Sequence, residues 1–91
     1  MNRRPQTRLT EPEHVPALRI NALGLKCPIP IVMLAERIGC VPVGQIIEIL
    51  ADDPAAKSDV PAWCGLKSHQ FVGSATLSGA AGWSLLVRRS Y

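Results

Sequence analysis

With 91 residues, 47% of them hydrophobic, the chain suits one domain with a modest core and is too short for two. No window approaches the roughly 18 apolar residues of a membrane-spanning helix, and the basic start "MNRRPQTRLTEPEHVP" lacks the apolar stretch of a signal peptide. The net charge of +3 is dispersed, no basic run exceeds Arg88-Arg89 and aromatics are 4%, so no direct sequence-specific nucleic-acid binding is expected.

Residues 1–16 are polar, carry prolines at 5, 12 and 16, and read as a disordered leader before a domain over 17–91. In "ALRINAL", Leu18 and Ile20 alternate with Arg19 and Asn21, the pattern of a half-buried strand. From Ile31 the apolar positions 31, 34, 35 and 38 follow helical spacing, with Glu36 and Arg37 turned away, and Gly39 and Pro42 end the helix. "QIIEILA" is strand-like, with Ile47, Ile49 and Ala51 on one face and Ile46, Glu48 and Leu50 on the other. Asp53-Pro54 suits a cap and first helical position, opening a second helix over about 54–67 with Ala56, Val60, Trp63 and Cys64 inward. Pro61 is expected to kink that helix or to mark a later start at Ser58 or Asp59. "QFVGSATL" and "WSLLVRR" are strands joined by the turn "SGAAG". The order β-α-β-α-β-β defines an α/β two-layer sandwich, a four-stranded mixed sheet with two helices on one face.

Three cysteines, at 27, 40 and 64, cannot all pair, no C-x-x-C occurs, and no export signal implies an oxidising compartment, so cytoplasmic thiols are expected. With His14 and His69 as the only imidazoles, no metal site is expected, and nothing in the sequence asks for a cofactor. The stretch "GLKCPIP" sets Cys27 before two prolines at the start of the first helix. With Cys27 as N-cap, Pro28 is the first helical residue and Pro30 the third, both where backbone N–H groups lack helical acceptors. Ile29 N–H is then the donor best placed for the sulfur, and the helix dipole and Lys26 favour the thiolate. The expectation is a rigidly presented thiol of lowered pKa.

"ALGLKCPIP", "ADDPAAKSDVPAWC" and "SHQFV" together resemble the TusA/SirA-like sulfur carrier proteins, over about residues 17–89. Their hallmark, C-P-x-P at the start of the first helix, is matched by Cys27, Pro28 and Pro30, with Gly24 and Lys26 in the supporting motif. The resemblance implies that Cys27 accepts a sulfane sulfur as a persulfide and passes it on, as a carrier rather than an independent turnover enzyme. It implies a donor such as a cysteine desulfurase or rhodanese, an acceptor sulfur-relay protein, and routes such as transfer-RNA thiolation, molybdenum-cofactor biosynthesis or sulfur-compound metabolism. Asn21 stands where members often carry Asp, and Ser68 precedes His69 where Gly-His is common. The alternative is a redox-sensing or regulatory module using the same thiol.

Ile29 and Met33, four apart and off the expected buried stripe, form a candidate docking patch. Cys64 reads as core, Cys40 as exposed and without a role, and His69 as a structural hydrogen-bonding residue. Asp52, Asp53 and Asp59 read as caps and turns rather than a cation site.

Overall fold

The computed structural model of the protein describes residues 15–91, so the expected leader falls, but for residues 15 and 16, outside the described residues. The chain runs β1 (Pro16–Ala22), α1 (Ile29–Arg37), a 3-10 turn (Ile38–Cys40), β2 (Ile46–Ala51), α2 (Pro54–Lys67), β3 (Gln70–Thr76) and β4 (Trp83–Arg88). The sheet order is β1-β2-β4-β3, with β1 parallel to β2 and β4 antiparallel to both its neighbours. The sequence reading of a four-stranded mixed sheet with two helices is therefore what the fold shows.

Strand alternation decides which face is covered. Ile20 and Ala22, Ile47, Ile49 and Ala51, and Leu85 and Val87 supply one sheet face of the core. Leu34 from α1 and Ala56, Val60 and Cys64 from α2 close over it. On the other face Glu48 accepts from Arg19 Nε at 2.6 Å and from Ser84 Oγ at 2.5 Å, tying β1, β2 and β4 together. The β3–β4 turn packs closely on the sheet end: a Cβ at Gly82, whose φ is +120°, would sit 2.6 Å from the Ala51 carbonyl oxygen.

Two expectations for the helices need correcting. The buried stripe of α1 is centred on Pro30 and Leu34. Met33 and Ala35 flank Leu34 by about 100° on either side. The long methionine reaches back onto the core from there, whereas the alanine is too short and stays exposed. In α2, Pro61 neither delays the start nor breaks the helix, which is continuous from Pro54 to Lys67. Tertiary packing of Val60 and Cys64 on either side of it offsets the missing N–H. Trp63 is half-buried and packs against the core, on the inward side expected of it.

The register of β1 and β2 places the site. Their last parallel pair is Ala22 with Ala51, so the segments that follow, "GLKCP" and "DD", leave the sheet side by side.

Candidate functional site

The segment before α1 is held from across the sheet by two aspartates. Gly24, at φ +80°, donates its N–H to both carboxylate oxygens of Asp52 at 3.0 Å. Cys27 donates its N–H to Asp53 Oδ2 at 2.8 Å. Asp53 is also the N-cap of α2, where its Oδ1 accepts from Ala55 N–H at 3.1 Å and Pro54 takes the first helical position. One carboxylate thus joins the thiol segment to the second helix. These two N–H groups hold Asp53 below the usual carboxylate range, against the opposing effect of burial and with a smaller contribution from Lys26.

The cap of α1 differs from expectation by one residue. Pro28 is the N-cap, Ile29 opens the helix and Pro30 is its second residue. Neither proline removes a helical hydrogen bond, because the first N–H groups of a helix have no intrahelical acceptor. Ile29 N–H, however, donates to the Lys26 carbonyl at 2.9 Å and not to the sulfur. Val32 N–H then closes the first turn on the Pro28 carbonyl at 2.9 Å. The Cys27–Pro28 peptide is cis.

The thiol is half-buried against the core. Its pKa is raised, not lowered. Burial is the largest cause, followed by the negative charge of Asp59, a hydrogen bond from the thiol to that carboxylate, and the charge of Asp53. Lys26 is exposed and acts on Asp53 instead. Sequence reading gave Asp53 its cap but missed the latch that Asp52 and Asp53 form on the thiol segment, and missed Asp59 beside the sulfur. The signal was available in the β-α-β order, since adjacent parallel strands bring the ends of both together.

Around the thiol, Leu25 is 36%, Ile29 46% and Val32 44% exposed. Met33 packs on the core and leaves the expected patch, and Val32, three residues from Ile29, takes its place on that face. Cys40 is exposed and Cys64 buried, with burial pushing the Cys64 thiol up to about 11. Alkylation of the folded protein at neutral pH is therefore expected in the order Cys40, Cys27, Cys64, with the Cys27 rate rising only above the pH of an ordinary cysteine. Asp59→Asn should bring that midpoint down. Peptide mapping after timed iodoacetamide treatment checks both, and an unshifted midpoint in the variant would remove Asp59 from the thiol's environment.

The site is thus a half-buried cysteine at the mouth of a helix, its backbone latched by Asp53, on an α/β sandwich. The family model described as sulfurtransferase TusA matches residues 18–89, and the chain belongs to that family of sulfur carriers and sulfurtransferases. The fold is similar to the crystal structure of a SirA-like protein from Desulfitobacterium hafniense. The TM-score is 0.69 at 15% identity, over 81% of this chain and 99% of that one.

Proposed function

We propose that the protein is a sulfur carrier whose Cys27 is loaded as a persulfide and discharged to a partner protein. The observation that carries this reading is the latch: Asp53 fixes the backbone of Cys27 where C-P-x-P begins α1, in a chain of the TusA family. In loading, the Cys27 sulfur attacks the outer sulfur of a donor persulfide. The donor S–S bond breaks, the donor leaves as a thiol, and the Cys27 proton ends on that thiol. The reverse exchange delivers the sulfur to an acceptor cysteine. The donor is a cysteine desulfurase or rhodanese and the acceptor a sulfur-relay protein, acting in the cytoplasm. The route is one of transfer-RNA thiolation, molybdenum-cofactor biosynthesis or sulfur-compound metabolism. No helix among the described residues is long and apolar enough to cross a membrane. A redox sensor on the same thiol is less well supported, because the raised pKa bears equally on both reactions and the family match favours the carrier. Incubation with a cysteine desulfurase and cysteine, followed by intact mass and peptide mapping, tests the proposal. The expected result is one added sulfur atom on Cys27, and glutathione or oxygen adducts alone would overturn it.

Handover needs a surface as well as a thiol. Leu25, Ile29 and Val32 form that surface, small enough for a transient partner. Ile29→Glu and Val32→Glu are expected to load normally from a small-molecule persulfide and to transfer to a protein acceptor about tenfold more slowly, mostly through faster dissociation. Both rates are measured on the same variants. If loading and transfer fall together, these residues support the thiol instead of the partner.

A further inference from the structure

Ser90 and Tyr91 turn back onto the end of α2 remote from Cys27. α2 runs 14 residues, about 20 Å of helix, so this place is separate from the thiol. The point where the two residues could lift away is sharply defined. Arg89 is fixed through its backbone: its N–H donates to the Gln45 carbonyl at 2.9 Å, and its carbonyl accepts from Gly44 N–H at 2.7 Å. Its guanidinium also donates to the Val41 carbonyl at 2.7 Å. Beyond Arg89 the attachments are of another kind. Ser90 N–H donates to His69 Nδ1 at 3.0 Å. The Tyr91 ring stacks on His69 with centroids 4.6 Å apart, and its OH donates to the Lys67 carbonyl at 2.7 Å. The terminal carboxylate of Tyr91 accepts from Arg89 Nε at 2.6 Å. Ser90 and Tyr91 thus form a short strap, and Tyr91 walls a cleft of about 340 Å³ together with Ala35, Ile38 and Trp63.

The Ser90 contact exists in one protonation state of His69 only. A backbone N–H can only donate, so Nδ1 must offer a lone pair, and the neutral ring carries its proton on Nε2. In the imidazolium both nitrogens carry protons, and two N–H groups would face each other. The ring has no room to turn away. Rotation about Cβ–Cγ sweeps it out of its own plane, into the stacked rings of Trp63, at 5.6 Å, and Tyr91. The strap is the part that can move. Other groups on the cleft act in both directions. Lys67 from α2 and Arg89 oppose a positive ring, while the Tyr91 carboxylate, already paired with Arg89, and the aromatic faces favour one. α1 and the turn after it present Ala35, Ile38 and Gly39, none of them charged. Burial, and after it the charge of Arg89, lower the pKa of His69, so the neutral ring prevails.

We propose that Ser90 and Tyr91 are a proton-operated strap, which protonation of His69 detaches from the end of α2 so that the cleft opens. The folded ring titrates below the unfolded value of about 6.5. Its contribution to closure is therefore complete above about pH 6.5 and is lost as the pH falls through the lower folded value.

The test is an NMR titration of the full-length, 15N-labelled protein from about pH 8 to about pH 4.5, which brackets an imidazole. As the ring protons of His69 titrate, the amides of Ser90 and Tyr91 are expected to shift with the same midpoint. Their order parameters should fall from about 0.85 to below about 0.6, and the Trp63 indole N–H should shift as its neighbours leave. The carboxylate of Tyr91 titrates near about 3.3 and so stays ionised throughout. His69→Phe keeps a ring in the stack and removes both the acceptor and the charge, while His14 remains. In that variant the amides of Ser90 and Tyr91 should not respond to pH over the same range. Order parameters that stay near about 0.85 once His69 is protonated would overturn the proposal. So would a midpoint different from that of the ring, or an unchanged response in His69→Phe.

Discussion

Replacing Cys27 by serine is expected to abolish sulfur loading and to leave the fold unchanged. A hydroxyl cannot form the S–S bond of a persulfide, so the gain of one sulfur atom should fall to background with any donor. The fold should persist because the structural duties of residue 27 lie in its backbone. Its N–H donates to Asp53, and serine keeps that donor. The helix cap is Pro28, so no side-chain cap is lost at residue 27. The sulfur is half-buried and the exchange is close to isosteric, which keeps the melting temperature within about 4 °C. Cys40→Ser is the companion variant, and it should load like the parent because Cys40 sits exposed in the turn after α1. Intact mass and thermal melting are measured on both. Persistent loading of Cys27→Ser would move the carrier thiol to Cys40. Loss of cooperative melting would mean that Cys27 serves the core and not the chemistry.

The parts of this structure that were legible in the sequence are those written in local patterns. Alternation in "QIIEILA" gave the inward set Ile47, Ile49 and Ala51, and helical spacing gave Ala56, Val60 and Cys64. Asp53-Pro54 marked the start of α2 because an aspartate cap and a proline at the first position are chemically distinctive. C-P-x-P drew attention to Cys27 for the same reason. What failed depended on distance in sequence. The charge state of the thiol was inferred from Lys26 and the helix end, whereas Asp59 and burial, both products of folding, decide it. The face of α1 was misread at Met33 and Ala35 because periodicity ignores side-chain length. Ser68 shows a milder conflict: it ends α2 at φ +63°, a conformation that glycine adopts more easily. The latch from Asp52 and Asp53 is invisible until β1 and β2 are known to be parallel neighbours.

Asp53 is where fold and function meet, and its substitution should show effects of both kinds. Asp53→Ala removes the cap of α2 and the acceptor for Cys27 N–H together. The expected result is a melting temperature lower by about 4–8 °C and a clearly slower sulfur transfer, because the thiol segment is no longer fixed. Asp53→Asn separates the two effects. Asparagine is a good N-cap, but it has one carbonyl oxygen where the carboxylate has two, and its amide nitrogen cannot accept. It therefore keeps the Ala55 contact and gives up Cys27, or the reverse. Capping is local and costs no rearrangement, so the retained contact should be Ala55. The variant should melt near the parent, exchange its Cys27 amide proton faster, and transfer sulfur slowly. The pH dependence follows from the lowered pKa of Asp53 in the folded state. Its stabilising contribution is complete above the unfolded value of about 3.9 and disappears as pH falls through the lower folded value. The parent and Asp53→Ala should therefore differ most above about pH 4, and the difference should shrink in stronger acid. Thermal melting across that range, amide exchange at Cys27 and transfer to a protein acceptor make up the measurement. If Asp53→Asn protects the Cys27 amide and transfers sulfur like the parent, the carboxylate is a helix cap alone, and the thiol is held by the prolines and the Asp52 contact to Gly24.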